Sequence, residues 1–228
     1  MGIFDNATSV YINNKEVQSM KIGTATIYEK QSPTTILFED SCSADNTSIY
    51  TSQSIRNGNG KVTFSFNSTQ QAYACNRSTS GYALMQFGTL VLQNNMKVSA
   101  DIKLGSTSWQ RNGYLGFADK DNPKTAYALG GFVQGEKYYR MLETNGNTEV
   151  QTTSNTKWSS VSTSDFNHHE LVYQDGVVTY TLTNPSAQTK SITLTLIGNN
   201  YIGGKVGLWV ECNTSPNCYI KNIVAEKI

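Results

Sequence analysis

The sequence has little charge, no long apolar run and no visible targeting segment. Charged residues make up 15% of the 228 residues, and the formal net charge is +1. Such a chain offers no basic field for nucleic acid and no acidic tail. No apolar run approaches the roughly 18 residues that a membrane-spanning helix needs, so we expect no membrane insertion. The first residues lack a basic and an apolar region, so we expect no secretory signal.

Cysteine and histidine are too few and too scattered to predict a zinc site. The four cysteines form no Cys-x-x-Cys pair, and the only two histidines are the neighbours His168 and His169. Adjacent residues of a strand point to opposite faces, so we expect one imidazole to pack and the other to be solvated. Cys212 and Cys218 flank a turn-like stretch. Their positions on either side of a turn would allow a disulfide between them. A chain without an export signal is made in a reducing compartment, which favours free thiols, so both alternatives stay open.

What the sequence has in abundance is Thr, Ser, Asn, Tyr and Gly, which predicts an all-β protein. Thr and Tyr favour strands, whereas Asn, Gly and Ser favour turns. Residues 8–30 hold three short candidate strands, a β-meander too small to bury a core alone, and residues 31–33 make a linker. From residue 36 onward, short strands alternate with turn clusters, as in a sandwich or barrel.

Alternation assigns the two faces of these strands. Val178, Tyr180 and Leu182 share one side of a strand, and the threonines between them share the other. The preceding turn contains Asp175-Gly176, which supplies the positive φ that a tight hairpin needs. One face of each strand is therefore expected to be buried, while water or a partner reaches the other.

Three stretches together resemble the concanavalin A-like lectin and glucanase superfamily. They are residues 167–180, with two strands around a tight Asp-Gly turn, residues 203–210 and residues 219–227. The resemblance covers residues 34–228. It implies an antiparallel jelly-roll β-sandwich, and it implies glycan binding on a face or loop of that sandwich.

The first residues carry a second resemblance. Residues 10–30 look like short modules at the start of phage and prophage tail or baseplate proteins. The resemblance implies that residues 1–33 attach the chain to other virion proteins and that the sandwich of residues 34–228 faces the host. It also implies a location in the virion or outside the cell, and a homotrimer is the oligomer that fits this reading.

The residues favour binding over catalysis. Glycoside hydrolases of the superfamily carry the pattern Glu-x-Asp-x-x-Glu, which places acid and nucleophile on one face of a strand. This chain has no such pattern, and Glu143 and Glu149 are separated by a turn. The alginate-lyase signatures of the superfamily are also missing. We therefore expect no enzymatic activity.

One loop has the composition of a calcium site. Asp119, Asp121 and Asn122 follow a predicted strand, and clustered oxygen ligands of this kind hold calcium in members of the superfamily. Asp and Asn also dominate ordinary turns through local hydrogen bonds to the backbone. Calcium is thus the one cofactor the sequence suggests, with a plain turn as the alternative.

Aromatic side chains opposite the core are the candidate ligand-binding groups. Aromatic faces cover the apolar side of a sugar ring, while amides, carboxylates or guanidinium groups bond its hydroxyls. Leu115 and Phe117 are expected to point inward, which leaves Tyr114 outside, and alternation leaves Trp209 outside in the same way. The alternative for each of these residues is that it packs in the sandwich and binds no ligand. A Trp in a polar loop either covers the core or forms an exposed surface for a sugar ring. The candidates are Trp109, Arg111, Tyr114, Tyr139, Arg140, Trp158 and Trp209.

Three functions compete at this point. The first is a non-catalytic module that binds a glycan or another surface ligand for host recognition. The second is a structural virion component, such as a decoration or assembly protein, that takes no small ligand. The third is a polysaccharide-degrading enzyme with an atypical site, which requires two carboxylates, or a Tyr with a His or Arg, in one cleft.

Overall fold

The fold was obtained as a computed structural model. It describes residues 10–12, 15–17, 19–22, 25–29, 34–54, 62–77, 83–104, 112–133, 137–146, 148–153, 156–198, 200–210 and 218–228. The chain divides into two compact units, Met1–Thr35 and Ile36–Ile228. Within the described residues, no helix is long and apolar enough to cross a membrane.

The described residues of the first unit form two short hairpins. Strand β1 (Val10–Ile12) pairs with β2 (Lys15–Val17), and β3 (Ser19–Ile22) pairs with β4 (Ala25–Glu29). The sequence predicts three strands here and the structure has four, because the stretch predicted as one strand from residue 17 to residue 22 contributes to both hairpins.

The described residues of the second unit form sixteen strands and one 3-10 helix, Thr47–Ile49. The strands in chain order are β5 (Thr35–Asp40), β6 (Tyr50–Ser54), β7 (Val62–Asn67), β8 (Ala72–Arg77), β9 (Ala83–Val91), β10 (Met96–Leu104), β11 (Asn112–Ala118), β12 (Tyr127–Val133), β13 (Tyr138–Asn145), β14 (Thr148–Thr152), β15 (Thr156–Lys157), β16 (Asn167–Gln174), β17 (Val177–Thr183), β18 (Thr189–Thr195), β19 (Lys205–Val210) and β20 (Cys218–Lys227).

These strands form two antiparallel sheets of eight strands each. Sheet I has the order β18-β17-β16-β10-β20-β8-β7, with β5 also paired to β20. Sheet II has the order β14-β13-β12-β11-β19-β9-β6, with β15 paired to β13. This confirms the predicted fold class, an all-β two-sheet antiparallel sandwich.

The main core lies between the two sheets. Tyr180 on sheet I and Phe117 on sheet II both belong to it, and both are fully buried. The other inward residues that alternation predicts on β11, β16, β17 and β19 also lie in this core, namely Leu171, Tyr173, Val178, Leu182, Leu115, Val206, Leu208 and Val210. The period-two pattern therefore assigned the faces correctly, since residues of opposite parity fall outside this cluster.

The hairpin between β16 and β17 forms as its turn residues predict. Asp175 has a φ of 48° and Gly176 a φ of 81°. Positive φ at both central residues is the geometry of the tight turn that matches the twist of paired strands. The threonines of β17 then lie on the outer face of sheet I, where Thr179 and Thr181 bond to hydroxyl groups of β18.

Sheet II carries a second apolar layer on its outer side. Tyr114 of β11 and Trp209 of β19 are register partners, and both are fully buried. They belong to a cluster separate from the main core, which we call the outer cluster: Leu84, Tyr114, Ala118, Tyr127, Leu129, Leu142 and Trp209. Sheet II is thus apolar on both faces, unlike the sheet with one wet face that simple alternation predicts.

Candidate functional site

A cavity of about 270 Å³ opens at one end of sheet II, and we call it the amide cavity. Segments that are distant in sequence line it: the ends of β11 and β13, strand β14, and the segment that follows β18. Its lining residues are Asp119, Asn122, Ala126, Glu143, Asn145, Val150, Ile197, Gly198, Asn200 and Tyr201. Amides, carboxylates, a phenol and aliphatic side chains therefore meet in one depression.

Glu143 is the anchor of the amide cavity. Its side chain is 1% exposed. Oε1 accepts hydrogen bonds from the backbone N–H of Gly198 and from the hydroxyl of Tyr201, both at 2.7 Å. Oε2 accepts from the backbone N–H of Ile197 at 2.9 Å and from the amide of Gln151. A buried carboxylate needs such partners, and here the bonds fix the segment of residues 197–201 to the end of β13.

Tyr201 lies against the same carboxylate. Burial, followed by the hydrogen bond to Glu143, raises the pKa of Tyr201 far above its usual value. The phenol therefore stays protonated and donates to Glu143 at every physiological pH. Its ring packs edge-on against Phe117, with 5.3 Å between the ring centroids, so the cavity floor is continuous with the main core.

The predicted calcium loop forms one wall of the amide cavity. Oδ1 of Asp119 accepts the backbone N–H groups of Asp121 at 2.9 Å and of Asn122 at 2.7 Å. This is the side-chain to backbone bonding of an ordinary turn, the alternative that the sequence left open. Within the described residues, no three His, Cys, Asp or Glu side chains converge as a metal site. Calcium binding by this loop stays a prediction.

The two loops that bound the amide cavity also hold each other. The backbone N–H of Lys120 donates to the backbone oxygen of Asn200 at 2.9 Å. The amide of Asn200 donates to a carboxylate oxygen of Asp121. These bonds keep the amides of Asn122 and Asn200 on a preformed wall, which lowers the entropy that a ligand has to overcome on binding.

The rim of the amide cavity is apolar and open. Ile197 is 69% exposed and Val150 is 41% exposed. These two aliphatic side chains can contact the C–H groups of a ligand, and the neighbouring exposed amides of Asn122 and Asn145 can bond its hydroxyl groups. Such a combination suits a ligand with an apolar ring face and a polar edge.

The structure buries the predicted aromatic sites on sheet II. Tyr114 and Trp209 do lie on the side of the sheet away from the main core, as alternation predicts. They are nevertheless fully buried in the outer cluster, so neither is an open platform for a sugar. Arg140 lies beside them: its Nη2 donates to the Tyr114 hydroxyl at 3.4 Å, and its guanidinium carbon is 5.9 Å from the Tyr114 ring centroid.

The other predicted aromatic residues pack inside the sandwich or fall outside the description. Tyr139 belongs to the main core, and it is Tyr138 that shares the side of Arg140 and packs on the outer cluster. Trp158 is 8% exposed and packs edge-on against Tyr139, so it is the lid on the core and not the exposed platform. Trp109 and Arg111 lie outside the described residues. Ligand binding by all these candidates stays a prediction.

A polar network covers the outer face of sheet I. Asp101 on β10 accepts a hydrogen bond from Nδ1 of His168 at 2.8 Å, and it accepts another from the amide of Asn222 at 2.7 Å. Hydrogen bonding to Asp101 raises the pKa of His168 above its usual value. The neighbouring Lys97 pairs with Glu170 and Glu226. Opposite charges therefore alternate across three neighbouring strands.

His169 points the other way, as expected for the residue next to His168. It is 2% exposed, and its Nδ1 lies 2.9 Å from the hydroxyl of Tyr180. Burial, followed by the charge of His168, lowers the pKa of His169 to about 3. The prediction that one histidine packs and the other is solvated is confirmed.

Sequence reasoning found one wall of the amide cavity and missed the rest. Asp119 and Asn122 were selected for calcium, whereas Asn145, Asn200 and Tyr201 were not selected at all. Glu143 was considered only as half of a catalytic pair. The missed residues come from two segments, β13 and the segment that follows β18, and no local pattern indicates that these segments meet.

Solved structures share this fold at low sequence identity. The CBM2 module of the evolved Dit of Lactobacillus casei BL23 phage J-1 is 8% identical, with a TM-score of 0.59 over 86% of this chain and 96% of that chain. A lectin from Bauhinia forficata in complex with GalNAc is 12% identical, with a TM-score of 0.56 over 84% of this chain and 98% of that chain. The carbohydrate-binding module CBM66 from Bacillus subtilis is 13% identical, with a TM-score of 0.56 over 78% of this chain and 95% of that chain.

These likenesses define the class of fold, a lectin-like two-sheet β-sandwich of the kind found in lectins and carbohydrate-binding modules. No family model and no curated protein matches the sequence. At this level of identity the shared feature is the fold, and function has to be argued from the site.

Proposed function

We propose that this protein is a non-catalytic glycan-binding module whose ligand site is the amide cavity. The observation that carries the proposal is the meeting of Asn122, Asn145 and Asn200 with exposed Ile197 and Val150 in one preformed cavity. Amide groups donate and accept hydrogen bonds in the directions that vicinal hydroxyls require. The volume of about 270 Å³ suits one or two sugar rings better than a long chain.

Binding is favoured over hydrolysis by the state of the carboxylates. Both oxygens of Glu143 accept bonds from groups of the protein, and Oδ1 of Asp119 accepts two backbone N–H groups. A nucleophile or general base needs an oxygen directed at the substrate. These carboxylates are instead directed at the chain and hold the cavity in shape.

We further propose that the bound glycan belongs to a bacterial surface and that the chain serves phage host recognition. Two observations support this: residues 10–30 resemble tail and baseplate modules, and one of the solved structures with this fold is a module of a phage Dit. In this reading residues 1–33 attach to other virion proteins, the assembly is a homotrimer, and the sandwich acts outside the cell.

The proposal is tested by a glycan array that includes bacterial wall polysaccharides, followed by titration of variants with the best hit. Asn145→Ala and Ile197→Ser are expected to weaken binding about tenfold each, since each removes one hydrogen bond or one apolar contact. Ile202→Ser is the matched control: Ile202 is 45% exposed and does not line the cavity. Its affinity is expected to equal that of the unaltered protein.

Three results would count against the proposal. Equal affinity of Ile197→Ser and Ile202→Ser would place the glycan elsewhere on the sandwich. Binding to no glycan on the array and to no isolated cell wall would favour the structural virion component over the binding module. Release of sugar from any polysaccharide by the purified protein would instead establish an enzyme.

A further inference from the structure

Two thiols face each other across neighbouring strands of sheet I. Cys75 of β8 and Cys218, the first residue of β20, are register partners. Both are free thiols, and both are fully buried. Residues directly opposite each other in antiparallel strands have Cα atoms about 4.5–5.5 Å apart, which falls inside the range of roughly 4.4–6.8 Å found in disulfides. The backbone therefore already holds the two cysteines at bonding distance.

We propose that Cys75 and Cys218 are a disulfide-forming pair that closes when the protein meets an oxidising solution containing small disulfides. In the first step, the thiolate of one cysteine attacks the small disulfide, forms a mixed disulfide and releases one small thiolate. In the second step, the other cysteine attacks the mixed disulfide and releases the second small thiolate. The two cysteines lose two protons and two electrons, and the small disulfide is reduced to two thiols.

The remaining sulfur atoms are placed differently. The thiol of Cys42 is directed at two backbone oxygens, those of Asp40 at 3.7 Å and Ile220 at 3.9 Å. Cys212 lies outside the described residues, so its disulfide with Cys218 stays a competing prediction from sequence. The structure supplies a partner for Cys218 in Cys75 without any rearrangement of strand pairing.

The buried position of the pair makes its oxidation slow in the folded protein. The hydrogen bond between the Cys75 thiol and the sulfur of Cys218 stabilises the protonated form and, followed by burial, raises the pKa of Cys75. The thiolate is the reactive form, so we expect fast closure only when strands open locally, during folding, or as pH rises. A chain folded in a reducing cell would thus carry the open pair and close it only after release.

Closure would connect β8 to the last strand of the fold through a covalent loop of about 140 residues, for which the chain-entropy model predicts strong stabilisation. We expect the oxidised protein to melt roughly 5–15 °C above the reduced protein. Dithiothreitol is expected to abolish the difference.

The test is peptide mapping of the full chain after incubation with oxidised glutathione at pH 8.5, both in the folded state and during refolding, with free thiols alkylated. Tryptic peptide 62–77 contains Cys75, while peptide 206–221 contains both Cys212 and Cys218. We therefore expect a link between these two peptides that persists in Cys212→Ala and is absent in Cys218→Ala. Cys42→Ala is the matched control and should retain the link.

The proposal is overturned by three outcomes. One is a link within peptide 206–221, which would establish the Cys212–Cys218 pair. Another is a link that contains Cys42. The third is full alkylation of all cysteines after refolding in the presence of oxidised glutathione. The mapping of the unaltered chain decides among these, so the result does not depend on the stability of any variant.

Discussion

At the scale of single residues, buried polar groups do most to fix the loops of this sandwich. Asp40 and Glu143 are 4% and 1% exposed, and each accepts hydrogen bonds from several parts of the chain. Oδ2 of Asp40 accepts the hydroxyls of Tyr50 at 2.6 Å and Tyr73 at 3.1 Å. Removal of either carboxylate would leave donors buried without partners, which costs more than the bonds themselves contribute.

The exposed histidine permits a residue-level prediction. Asp101→Asn is expected to lower the pKa of His168 toward the usual value near 6.5, because the hydrogen bond and the charge that hold its proton are weakened. Proton NMR titration measures this directly. The chain has only two histidines, and the pKa of His169 is lowered to about 3, so the signal that titrates near neutral pH belongs to His168.

Glu226→Gln provides the control for that titration. Glu226 contacts Lys97 and makes no contact with His168 among the described residues. Its removal should leave the pKa of His168 nearly unchanged. An unaltered pKa in Asp101→Asn would show that the Asp101 contact does not hold the proton in solution.

The buried histidine predicts a loss of stability in acid. The unfolded chain takes up a proton on His169 near pH 6.5, whereas the folded chain, whose pKa is lowered to about 3, does not. Between these values the unfolded state binds more protons, so stability falls as pH falls, by about 2 kcal/mol from pH 7 to pH 5. Urea unfolding of the unaltered protein and of His169→Gln at the two pH values measures this difference.

His168→Gln is the matched control for acid stability. The pKa of His168 is raised, so its contribution is present below pH 6.5 and is lost as pH rises, opposite in sign to that of His169. We expect the acid-dependent loss to shrink in His169→Gln and not in His168→Gln. Equal losses in both variants would contradict the assignment.

At the scale of strands, the two sheets meet so closely that one position tolerates no side chain. A Cβ atom on Gly130 of β12 would lie 2.8 Å from ring atoms of Tyr180 on the facing sheet. The Tyr180 ring is fully buried and its hydroxyl is bonded to His169, so it has no direction in which to move. Gly130 therefore sets the spacing of the sandwich at this point.

Gly130→Ala is expected to lower the melting temperature by roughly 4–10 °C through overpacking. Tyr180→Leu alone destabilises the protein because it removes a buried ring. In that background, Gly130→Ala should lower the melting temperature much less than it does in the unaltered protein, because the ring that its Cβ would meet is absent. Thr193→Ala, at an exposed position of β18, is the control and should change little. Equal costs of Gly130→Ala in both backgrounds would contradict the contact.

The strands and faces of the fold were predictable from sequence, and the amide cavity proposed as the ligand site was not. The rhythm of Val178, Tyr180 and Leu182 identifies a buried face because period two is a local property of any strand. The same rhythm placed Trp209 outside the core correctly, yet it could not show that this side is itself buried. Exposure depends on what else folds over a sheet, and that information lies far away in the sequence.

The amide cavity shows most clearly which contacts a local sequence pattern cannot predict. Asp119 and Asn122 could be selected because they crowd one loop. Glu143 and Tyr201 are 58 residues apart and are joined by a single hydrogen bond of 2.7 Å. The sheet order β13-β12-β11-β19 brings the end of β13 and the segment that precedes β19 to the same sheet, so the meeting appears in the structure alone.

At the scale of the whole molecule, the charges are few and nearly balanced in sign, with 18 Lys and Arg against 17 Asp and Glu. On the outer face of sheet I, Lys97 contacts two glutamates, and Asp101 contacts His168 and Asn222. The formal net charge of +1 agrees with this balance. A surface of this kind attracts its ligands by shape and hydrogen bonding, since it has no long-range field to attract polyanions.

The protein is therefore expected to pass through heparin and DNA columns without retention at about 50 mM salt and neutral pH, where proteins that make several phosphate contacts bind tightly. Lys97→Glu should behave identically, because it changes one charge in an already balanced surface. Retention that needs more than about 200 mM salt for elution would reveal a basic surface and would direct the search for the ligand toward anionic polymers. Passage without retention, together with glycan binding that salt leaves unchanged, is what binding through amide hydrogen bonds and apolar contacts requires.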